Sequence, residues 1–208
     1  MNIAVFGAKG RVGSKVVEIA LKRNHKVYQI DKNFEHNKLD KVDAVIDFST
    51  ASATSDVCAF CSAHKCPLIS GVTGHNTEQL TDLEELSKQV KVIKKENFST
   101  GVTFLKEIAE LAASELKNWD CAIIETHRKG KTDSPSGTAK ALASIISQNK
   151  GSFSTVTVHS VRAGSNFGKH EIVFASDGES ITVTHQAENV EIFALGAVKE
   201  AENMLKQY

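Results

Sequence analysis

The sequence has no excess of charge of either sign: of its 208 residues, 25 are Lys or Arg and 25 are Asp or Glu. Proteins that bind nucleic acids or membrane surfaces usually carry a clear basic excess, so we expect neither partner. The sequence also lacks an apolar run near the roughly 20 residues that a membrane-spanning helix needs. Its first residues, MNIAVFGAKG, have no basic segment before a short apolar run. That pattern argues against a signal peptide and favours a cytoplasmic protein.

Cysteine is scarce as well, with four in the chain. In the cytoplasm these cysteines are expected to be reduced. Cys58 and Cys61 form a C-x-x-C pair, but no second pair and no His pair at zinc-ligand spacing accompanies it. The surrounding segment has a helical pattern that puts Val57, Cys58 and Cys61 on one face. We therefore predict buried, inert thiols and no metal site.

What the sequence does have, over its first half, is a regular alternation of short apolar runs and helical patterns. Strands are predicted at residues 3–6, 26–31, 43–49, 67–72 and 90–94. One helix between them begins with a capping box, in which Asn76 and Gln79 satisfy each other's backbone N–H groups. Alternating strands and helices are typical of βαβ units around a parallel sheet.

The second half has a different pattern. A helix is predicted over residues 100–117, a strand over 121–127, a helix from Pro135, three strands at 154–162, 170–176 and 180–187, and a last helix over 193–206. We predict an α/β protein with two domains. Residues 1–98 form a Rossmann-type parallel sheet that binds a dinucleotide, with the C-terminal helix, 190–208, packing back on it. Residues 99–189 form an α+β substrate domain with a mixed sheet.

A glycine turn follows the first predicted strand. Gly7, Gly10 and Gly13 give G-x-x-G-x-x-G rather than the dinucleotide fingerprint G-x-G-x-x-G. The physical purpose is the same, because a tight turn brings the backbone close to a pyrophosphate at a helix N-terminus. A phosphate-binding P-loop is excluded by the spacing. A plain turn with glycines for packing is the alternative.

An acidic residue supports the dinucleotide interpretation. Asp31 ends the second predicted strand, near the usual distance of about 20 residues from the glycine turn. Its carboxylate could hold the ribose hydroxyls of NADH, whereas Lys32 could partner the 2′-phosphate of NADPH, so both cofactors stay open. Small polar residues follow other strands of this sheet, where ligands of open α/β sheets bind. Gly71 and Thr73 are expected near the nicotinamide half.

A second candidate site lies in residues 125–140, ETHRKGKTDSPSGTAK. Pro135 fits the first position of a helix, and Ser134 or Asp133 fits its N-cap. The N–H groups of residues 136–138 would then be free to bind an anion, most simply a carboxylate. His127, Arg128 and Lys131 add two cations and a group that titrates near neutrality, as a proton-transfer site for an acidic small molecule needs. A solvated basic loop before a capped helix is the alternative.

The segment from Glu125 to Ala139 resembles the signature of the 4-hydroxy-tetrahydrodipicolinate reductase (dihydrodipicolinate reductase) family, which runs roughly E-x-H-H-x-x-K-x-D-A-P-S-G-T-A. GAKGRVG, DFST, GVTG, ENFSTG, VRAG, GKHEIVFAS, ESITVTHQA and FALGAV look like family blocks in family order. The resemblance therefore covers most of the chain. It implies an enzyme of lysine and diaminopimelate biosynthesis, in which NADH or NADPH reduces an unsaturated cyclic dicarboxylate. It also implies a homotetramer built by the sheet of the second domain.

The resemblance also implies roles for individual residues. His127 would be the proton donor, and Lys131 a second acid or a charge partner of the substrate. Arg128, Gly137 and Thr138 would bind the substrate. The cofactor site would be lined by Gly7, Ala8, Lys9, Gly10, Arg11, Val12, Asp31, Lys32, Gly71, Val72, Thr73, Glu96, Asn97, Phe98 and Ser99.

Two features depart from the family pattern. Arg128 stands where the family has a second His, and its planar guanidinium favours bidentate carboxylate binding over titration near neutrality. The chain is also shorter than many relatives, which trimmed loops would explain. Two alternatives stay open: a non-catalytic module that senses NAD(P), and a related reductase of another small cyclic acid.

Overall fold

The computed structural model describes residues 1–30, 39, 41–150 and 156–205. These residues form two compact units, one of Met1–Phe98 with Val190–Tyr208 and the other of Ser99–Asn189. Among the residues described, no helix combines the length and the hydrophobicity that crossing a membrane requires. The elements in chain order are β1 (Asn2–Phe6), α1 (Gly13–Lys22), β2 (Lys26–Ile30), β3 (Ala44–Asp47), α2 (Thr54–His64), β4 (Leu68–Ser70), α3 (Thr77–Ser87), β5 (Val92–Lys94), α4 (Thr100–Glu115), β6 (Asp120–His127), α5 (Gly137–Lys150), β7 (Thr157–Arg162), β8 (Lys169–Ser176), β9 (Glu179–Gln186) and α6 (Glu191–Leu205).

The first unit is built on a parallel sheet with the order β2-β1-β3-β4-β5. Its central strands β1, β3 and β4 are apolar and buried, as expected for a parallel sheet that is covered on both faces, whereas the edge strands β2 and β5 are partly exposed. One core contains residues of α1 and α6, and the other contains residues of α2 and α3. The order of strands reverses between β1 and β3, which is where ligands bind in this kind of sheet. The predicted Rossmann-type sheet is confirmed.

Helix α6 returns to the first unit and is fixed there by close packing. A Cβ atom at Gly196 would lie 1.8 Å from the carbonyl oxygen of Phe98, so glycine allows the helix to approach this backbone. Arg23 makes two hydrogen bonds of 2.7 Å to Glu202 of α6, and His25 makes one of 2.9 Å. Apolar burial and an ion pair therefore both hold α6 against α1.

The second unit is built on a mixed sheet with the order β7-β6-β8-β9, in which β6 and β7 are parallel and the other pairs antiparallel. The predicted mixed sheet is confirmed. Residues of α4 and α5 pack on one face of this sheet, around Ile123, Ile172 and Phe174. The sheet thus has one face covered by helices and places the end of β6 beside the start of α5.

Several local predictions can be compared with the described residues. Asn76 and Gln79 do form a reciprocal capping box at the start of α3, with two hydrogen bonds of 2.9 Å. All four cysteines are buried free thiols, and Val57, Cys58 and Cys61 share the buried face of α2 as predicted. Strand β3 ends earlier than predicted because the carboxylate of Asp47 binds the N–H of Ser49 at 2.9 Å.

Candidate active site

Strand β6 brings Glu125 and His127 onto the same buried face of the second sheet. Side chains alternate along a strand, so residues two apart point the same way. Both side chains face the helices and not solvent, since Glu125 is 0% exposed and His127 8%. The end of this strand therefore carries an acid and an imidazole side by side in the interior.

These two side chains form a hydrogen-bonded network with neighbouring elements. Nδ1 of His127 bonds to Oε2 of Glu125. The other carboxylate oxygen, Oε1, accepts hydrogen bonds from Nη2 of Arg162 at 2.7 Å and from the N–H of Ser136 at 3.3 Å. Residues of β6, of β7 and of the segment before α5 therefore hold this carboxylate with three hydrogen bonds.

The electrostatics of the pair follow from this arrangement. Burial by itself raises the pKa of Glu125, but hydrogen bonds from Arg162 and His127 outweigh burial and lower that pKa to about 2. Burial lowers the pKa of His127, and the hydrogen bond to the Glu125 carboxylate partly opposes that effect. Glu125 is thus a carboxylate at neutral pH, and His127 is an imidazole whose protonation depends on its charged neighbours.

Residues 128–135 connect β6 to α5 and carry the predicted cations. The N–H of Arg128 donates to the carbonyl of Asn166 at 2.9 Å, and the side chain of Arg128 lies over Gly130. Nζ of Lys131 pairs with Asp133 at 2.6 Å. The charge of Lys131 also contributes to lowering the pKa of His127. The Lys131 ammonium is therefore close enough to influence the imidazole electrostatically.

The start of α5 differs from the prediction. Its first residue is Gly137, not Pro135, and its cap is Ser136, not Ser134 or Asp133. The hydroxyl of Ser136 accepts a hydrogen bond from the N–H of Ala139 at 3.2 Å, in the manner of an N-cap. The N–H of Ser136 was predicted to be free, but it donates to Glu125. Tertiary contacts of Ser136 therefore fix the start of this helix.

Because α5 begins at Gly137, its first turn contains Gly137 and Thr138. The N–H groups of a first helical turn have no acceptors within the helix. Gly137 has no side chain to obstruct an anion, and Thr138 is 8% exposed. Both residues follow Ser136 directly, and the N–H of Ser136 donates to Glu125.

Arg162 and His170 of this network were not predicted at all, Glu125 lay in the candidate segment without a role of its own, and Ser136 was predicted only for its N–H group. The ring of His170 is 3% exposed and contacts the ring of His127 at a centroid distance of 5.2 Å. Its Nε2 lies 3.1 Å from the hydroxyl of Ser136. Strand alternation could have indicated Glu125, but Arg162 and His170 come from other strands.

Ligand atoms of Glu125, His127 and His170 lie within 4.8 Å of one another, which is compatible with a metal site. The charge of Arg162 argues against this interpretation, since its guanidinium already binds the Glu125 carboxylate. Lys131 adds a second positive charge nearby. We therefore interpret these three residues as part of a hydrogen-bonded network.

In the first unit, the glycine turn has the geometry of a close backbone approach. Gly7 has φ +71°, and a Cβ atom on it would lie 2.6 Å from the carbonyl oxygen of Phe48. A Cβ atom on Gly13 would lie 2.1 Å from the carbonyl oxygen of Gly7. Only glycine therefore fits at both positions, and the turn is held tightly between the ends of β1 and β3. Between them, Ala8 is buried, Val12 is half-buried, and Lys9, Gly10 and Arg11 are exposed.

The loop after β4 also lies at this edge of the first sheet. A Cβ atom on Gly71 would lie 2.3 Å from the ring of Phe48, so glycine is required for this contact. Val72 is buried, whereas Thr73 is exposed and accessible to a ligand. At this edge of the sheet, Gly7 and Gly71 both pack closely against Phe48, and Thr73 adds an exposed polar side chain.

The last group of predicted cofactor residues is divided between the two units. Glu96 is exposed, Asn97 is half-buried, and Phe98 packs into the core of the first unit. Ser99 belongs to the second unit, where its hydroxyl caps α4 by accepting from the N–H of Val102 at 3.3 Å. Asp31 and Lys32 lie outside the described residues, so their roles remain predictions.

Comparison with known proteins gives a consistent result over the whole chain. The family models for the N-terminus and the C-terminus of dihydrodipicolinate reductase match residues 1–98 and 101–208. The 4-hydroxy-tetrahydrodipicolinate reductase of Thermosipho africanus is 35% identical over 208 residues, covering 100% of this chain and 93% of the relative. The enzyme of the same name from Natronomonas pharaonis is 32% identical, covering 97% and 94%.

Solved structures show the same fold. A dipicolinate-bound dihydrodipicolinate reductase from Paenisporosarcina sp. TG-14 superposes with a TM-score of 0.79 at 22% identity, covering 99% of this chain and 95% of that one. An aspartate semialdehyde dehydrogenase from Vibrio cholerae superposes with a TM-score of 0.61 at 12% identity, covering 100% and 99%. The class of protein is therefore a two-unit fold with a Rossmann-type sheet. Within it, the chain belongs to the dihydrodipicolinate reductase family.

Proposed function

We propose that the protein reduces 4-hydroxy-tetrahydrodipicolinate, by way of dihydrodipicolinate, to tetrahydrodipicolinate in lysine and diaminopimelate biosynthesis. Family membership over both halves of the chain supports this activity. The observation that carries it is the arrangement around Glu125, which bonds both to the imidazole of His127 and to the N–H of Ser136 at the start of α5. A proton donor and a carboxylate-binding turn are thereby held by one buried residue.

The cofactor is a pyridine nucleotide, and the glycine turn fits its pyrophosphate. Gly7 and Gly13 keep the backbone of the turn close to α1, whose first N–H groups and positive dipole favour a phosphate. Residues 7–12, 71–73 and 96–99 would line the site. When bound, the nicotinamide would supply a hydride to the unsaturated ring of the substrate.

The residues of the second unit would bind the substrate and move the proton. The first turn of α5, at Gly137 and Thr138, would hold one substrate carboxylate, and Arg128 would bind the other with its two-pronged guanidinium. His127 would donate a proton to the reduced ring. Lys131, released from Asp133, would neutralise charge on the dicarboxylate or act as a second acid.

Asp31 and Lys32 are proposed to set the preference between NADH and NADPH. The carboxylate of Asp31 would accept hydrogen bonds from the ribose hydroxyls of NADH and would repel the 2′-phosphate of NADPH. We expect Asp31→Ala to weaken NADH binding more than NADPH binding, as measured by fluorescence titration with both nucleotides. Equal weakening of the two would remove Asp31 from the ribose site.

A homotetramer is proposed for the second unit. Helices α4 and α5 cover one face of its sheet, and Ile124, Val161 and Val173 lie on the opposite face. Val161, on the edge strand β7, is 42% exposed on this face. Further copies of the chain would cover this face. We also propose that the protein works in the cytoplasm. Analytical ultracentrifugation should give four times the monomer mass, and a monomer would contradict the proposal.

The activity can be tested with a coupled assay. The upstream synthase would generate the substrate from pyruvate and aspartate semialdehyde, and the absorbance of NADH or NADPH would be followed in parallel reactions. We expect oxidation that requires both the synthase and this protein. Absence of oxidation with either nucleotide, from protein that still binds NADH, would contradict the proposed reaction and make Arg128→His the first variant to test.

A further inference from the structure

We propose that Glu125 is the positioning residue of the proton donor: its carboxylate, fixed by Arg162 and Ser136, holds Nδ1 of His127 and leaves Nε2 to give the proton to the substrate. This inference rests on the proposed reductase function. It assigns a role to a buried acid that does not itself touch the substrate, and to an arginine 37 residues away in sequence.

The two nitrogens of His127 have different surroundings. Nδ1 faces inward and is bound to Glu125. Nε2 faces the backbone of Gly168, where a Cβ atom would lie only 2.9 Å from that nitrogen. Gly168 has φ +142° and carries no side chain, and a larger residue there would crowd Nε2. Because Nδ1 is occupied by Glu125 and the His127 side chain keeps 11% exposure, Nε2 is the nitrogen left for a substrate.

Glu125 is itself held rigidly. It is fully buried, and a buried carboxylate is costly unless it is paired and hydrogen-bonded. Arg162 supplies the charge, and Arg162 is fixed in turn by bonds of 2.6 Å to the carbonyl of Asp133 and 2.9 Å to that of Val161. The guanidinium therefore keeps Glu125 ionised and prevents it from taking the proton of His127.

The same carboxylate connects the proton donor to the first turn of α5, which is proposed to bind a substrate carboxylate. The N–H of Ser136 bonds to Oε1 of Glu125, and the hydroxyl of Ser136 caps α5. A change at Glu125 therefore affects both the orientation of the imidazole and the position of the helix turn that would bind a substrate carboxylate. Such coupling matters because proton transfer needs accurate placement of donor and acceptor.

The proton balance follows from this geometry. Protonated His127 carries a proton on each nitrogen, and the one on Nε2 passes to the substrate. The imidazole is left neutral with its remaining proton on Nδ1, where the Glu125 carboxylate accepts it in a hydrogen bond. Solvent restores the proton on Nε2 after each turnover.

The charged groups that face His127 come from several elements: Glu125, Arg162, His170, Lys131 and Asp133. Glu125 raises the pKa of His127, whereas Lys131 and Arg162 lower it. Loss of the negative charge at Glu125 should therefore lower the pKa of His127. Since the donor must be protonated, the alkaline limb of the pH–rate profile should move to lower pH.

The test compares Glu125→Gln with Glu202→Gln. Glu202 is a matched control because it also binds an arginine and a histidine, Arg23 and His25, in the first unit. We expect Glu125→Gln to lower turnover by about 100-fold or more and to shift the alkaline limb to lower pH. Glu202→Gln should leave turnover and the pH profile unchanged. Nucleotide affinity should be unchanged in both.

A second readout does not depend on activity. In protein with ¹⁵N-labelled histidine, NMR should show neutral His127 protonated on Nδ1 in the wild type and on Nε2 in Glu125→Gln. The double variant Glu125→Gln/Arg162→Met removes the unpaired cation, so it guards against a folding defect and should move the pH limb back toward the wild-type value. Wild-type tautomer and pH limb in folded Glu125→Gln would overturn the inference, whereas a wild-type protein without reductase activity would overturn the proposed function instead.

Discussion

The molecule contains two clusters of one glutamate, one arginine and one histidine, and the two lie in different settings. In the first unit, Glu202 binds Arg23 and His25 between α6 and α1. In the second unit, Glu125 binds Arg162 and His127 at the end of β6. Both carboxyl groups have pKa values lowered to about 2 by their partners, against the opposing effect of burial. The ion pairs themselves are thus closely similar.

What differs is burial and what lies next to each cluster. Side-chain exposure in the Glu202 cluster is 15% for the glutamate and 41% for the arginine, whereas in the other cluster it is 0% and 17%. Near His127 lie a capped helix N-terminus and the cation Lys131, which is paired with Asp133. The Glu202 cluster ties a terminal helix to its unit. Burial and neighbouring donors, and not residue types, therefore separate a structural ion pair from a candidate catalytic one.

Among variants that distinguish the two clusters, we expect the largest effect on turnover at Lys131. No lysine has this position among the contacts described for the Glu202 cluster. We expect Lys131→Met to lower turnover by about 10²- to 10⁴-fold, the range typical of a lost acid or base. Nucleotide affinity should not change, because Lys131 lies in the second unit. Steady-state kinetics and nucleotide titration of the same preparation check this. Equal losses in turnover and nucleotide affinity would show that the assignment of Lys131 is wrong.

A smaller effect is expected from pH on the stability of the second unit. Burial lowers the pKa of His170 to about 4 from 6.5, so the folded state keeps this imidazole neutral. The unfolded state binds the extra proton, and stability is therefore lost as pH falls from about 6.5 toward about 4. The contribution of this group is at most about 3 kcal/mol.

Urea unfolding followed by the fluorescence of Trp119, the single tryptophan, would measure this loss in the second unit. We expect the free energy of unfolding of His170→Gln to depend less steeply on pH between 4 and 6.5 than that of the wild type, because one buried histidine is removed. An unchanged slope would mean that His170 is not the group that titrates on unfolding.

The smallest expected effects concern two helix caps, one in each unit. Loss of either capping side chain, in Asn76→Ala or Ser136→Ala, should cost about 1 kcal/mol of stability. Ser136 also contacts His170 and Glu125, so Ser136→Ala should in addition reduce turnover. Asn76→Ala should not, since its bonds are confined to the capping box. Denaturant melts and turnover of both variants give the answer, and equal turnover in the two would weaken the link between the cap of α5 and the chemistry.

Sequence patterns were sufficient where local rules decide the structure. The capping box of Asn76 and Gln79 needs only four residues, and the short apolar run that predicted β6 is equally local. The start of α5 was predicted wrongly because Ser136 is selected as cap by contacts with Glu125 and His170, which lie on other elements. Arg162 was missed for the same reason, since nothing near it in sequence indicates a buried acid as its partner.

The most direct test of the account is a paired measurement on His127→Asn. Turnover in the coupled assay and the dissociation constant for NADH would be determined on the same preparation, beside His25→Asn as the control from the other cluster. We expect His127→Asn to lose turnover by about 100-fold or more and to bind NADH as the wild type does, while His25→Asn behaves as the wild type in both. Full turnover in His127→Asn, or an equal loss in His25→Asn, would contradict it.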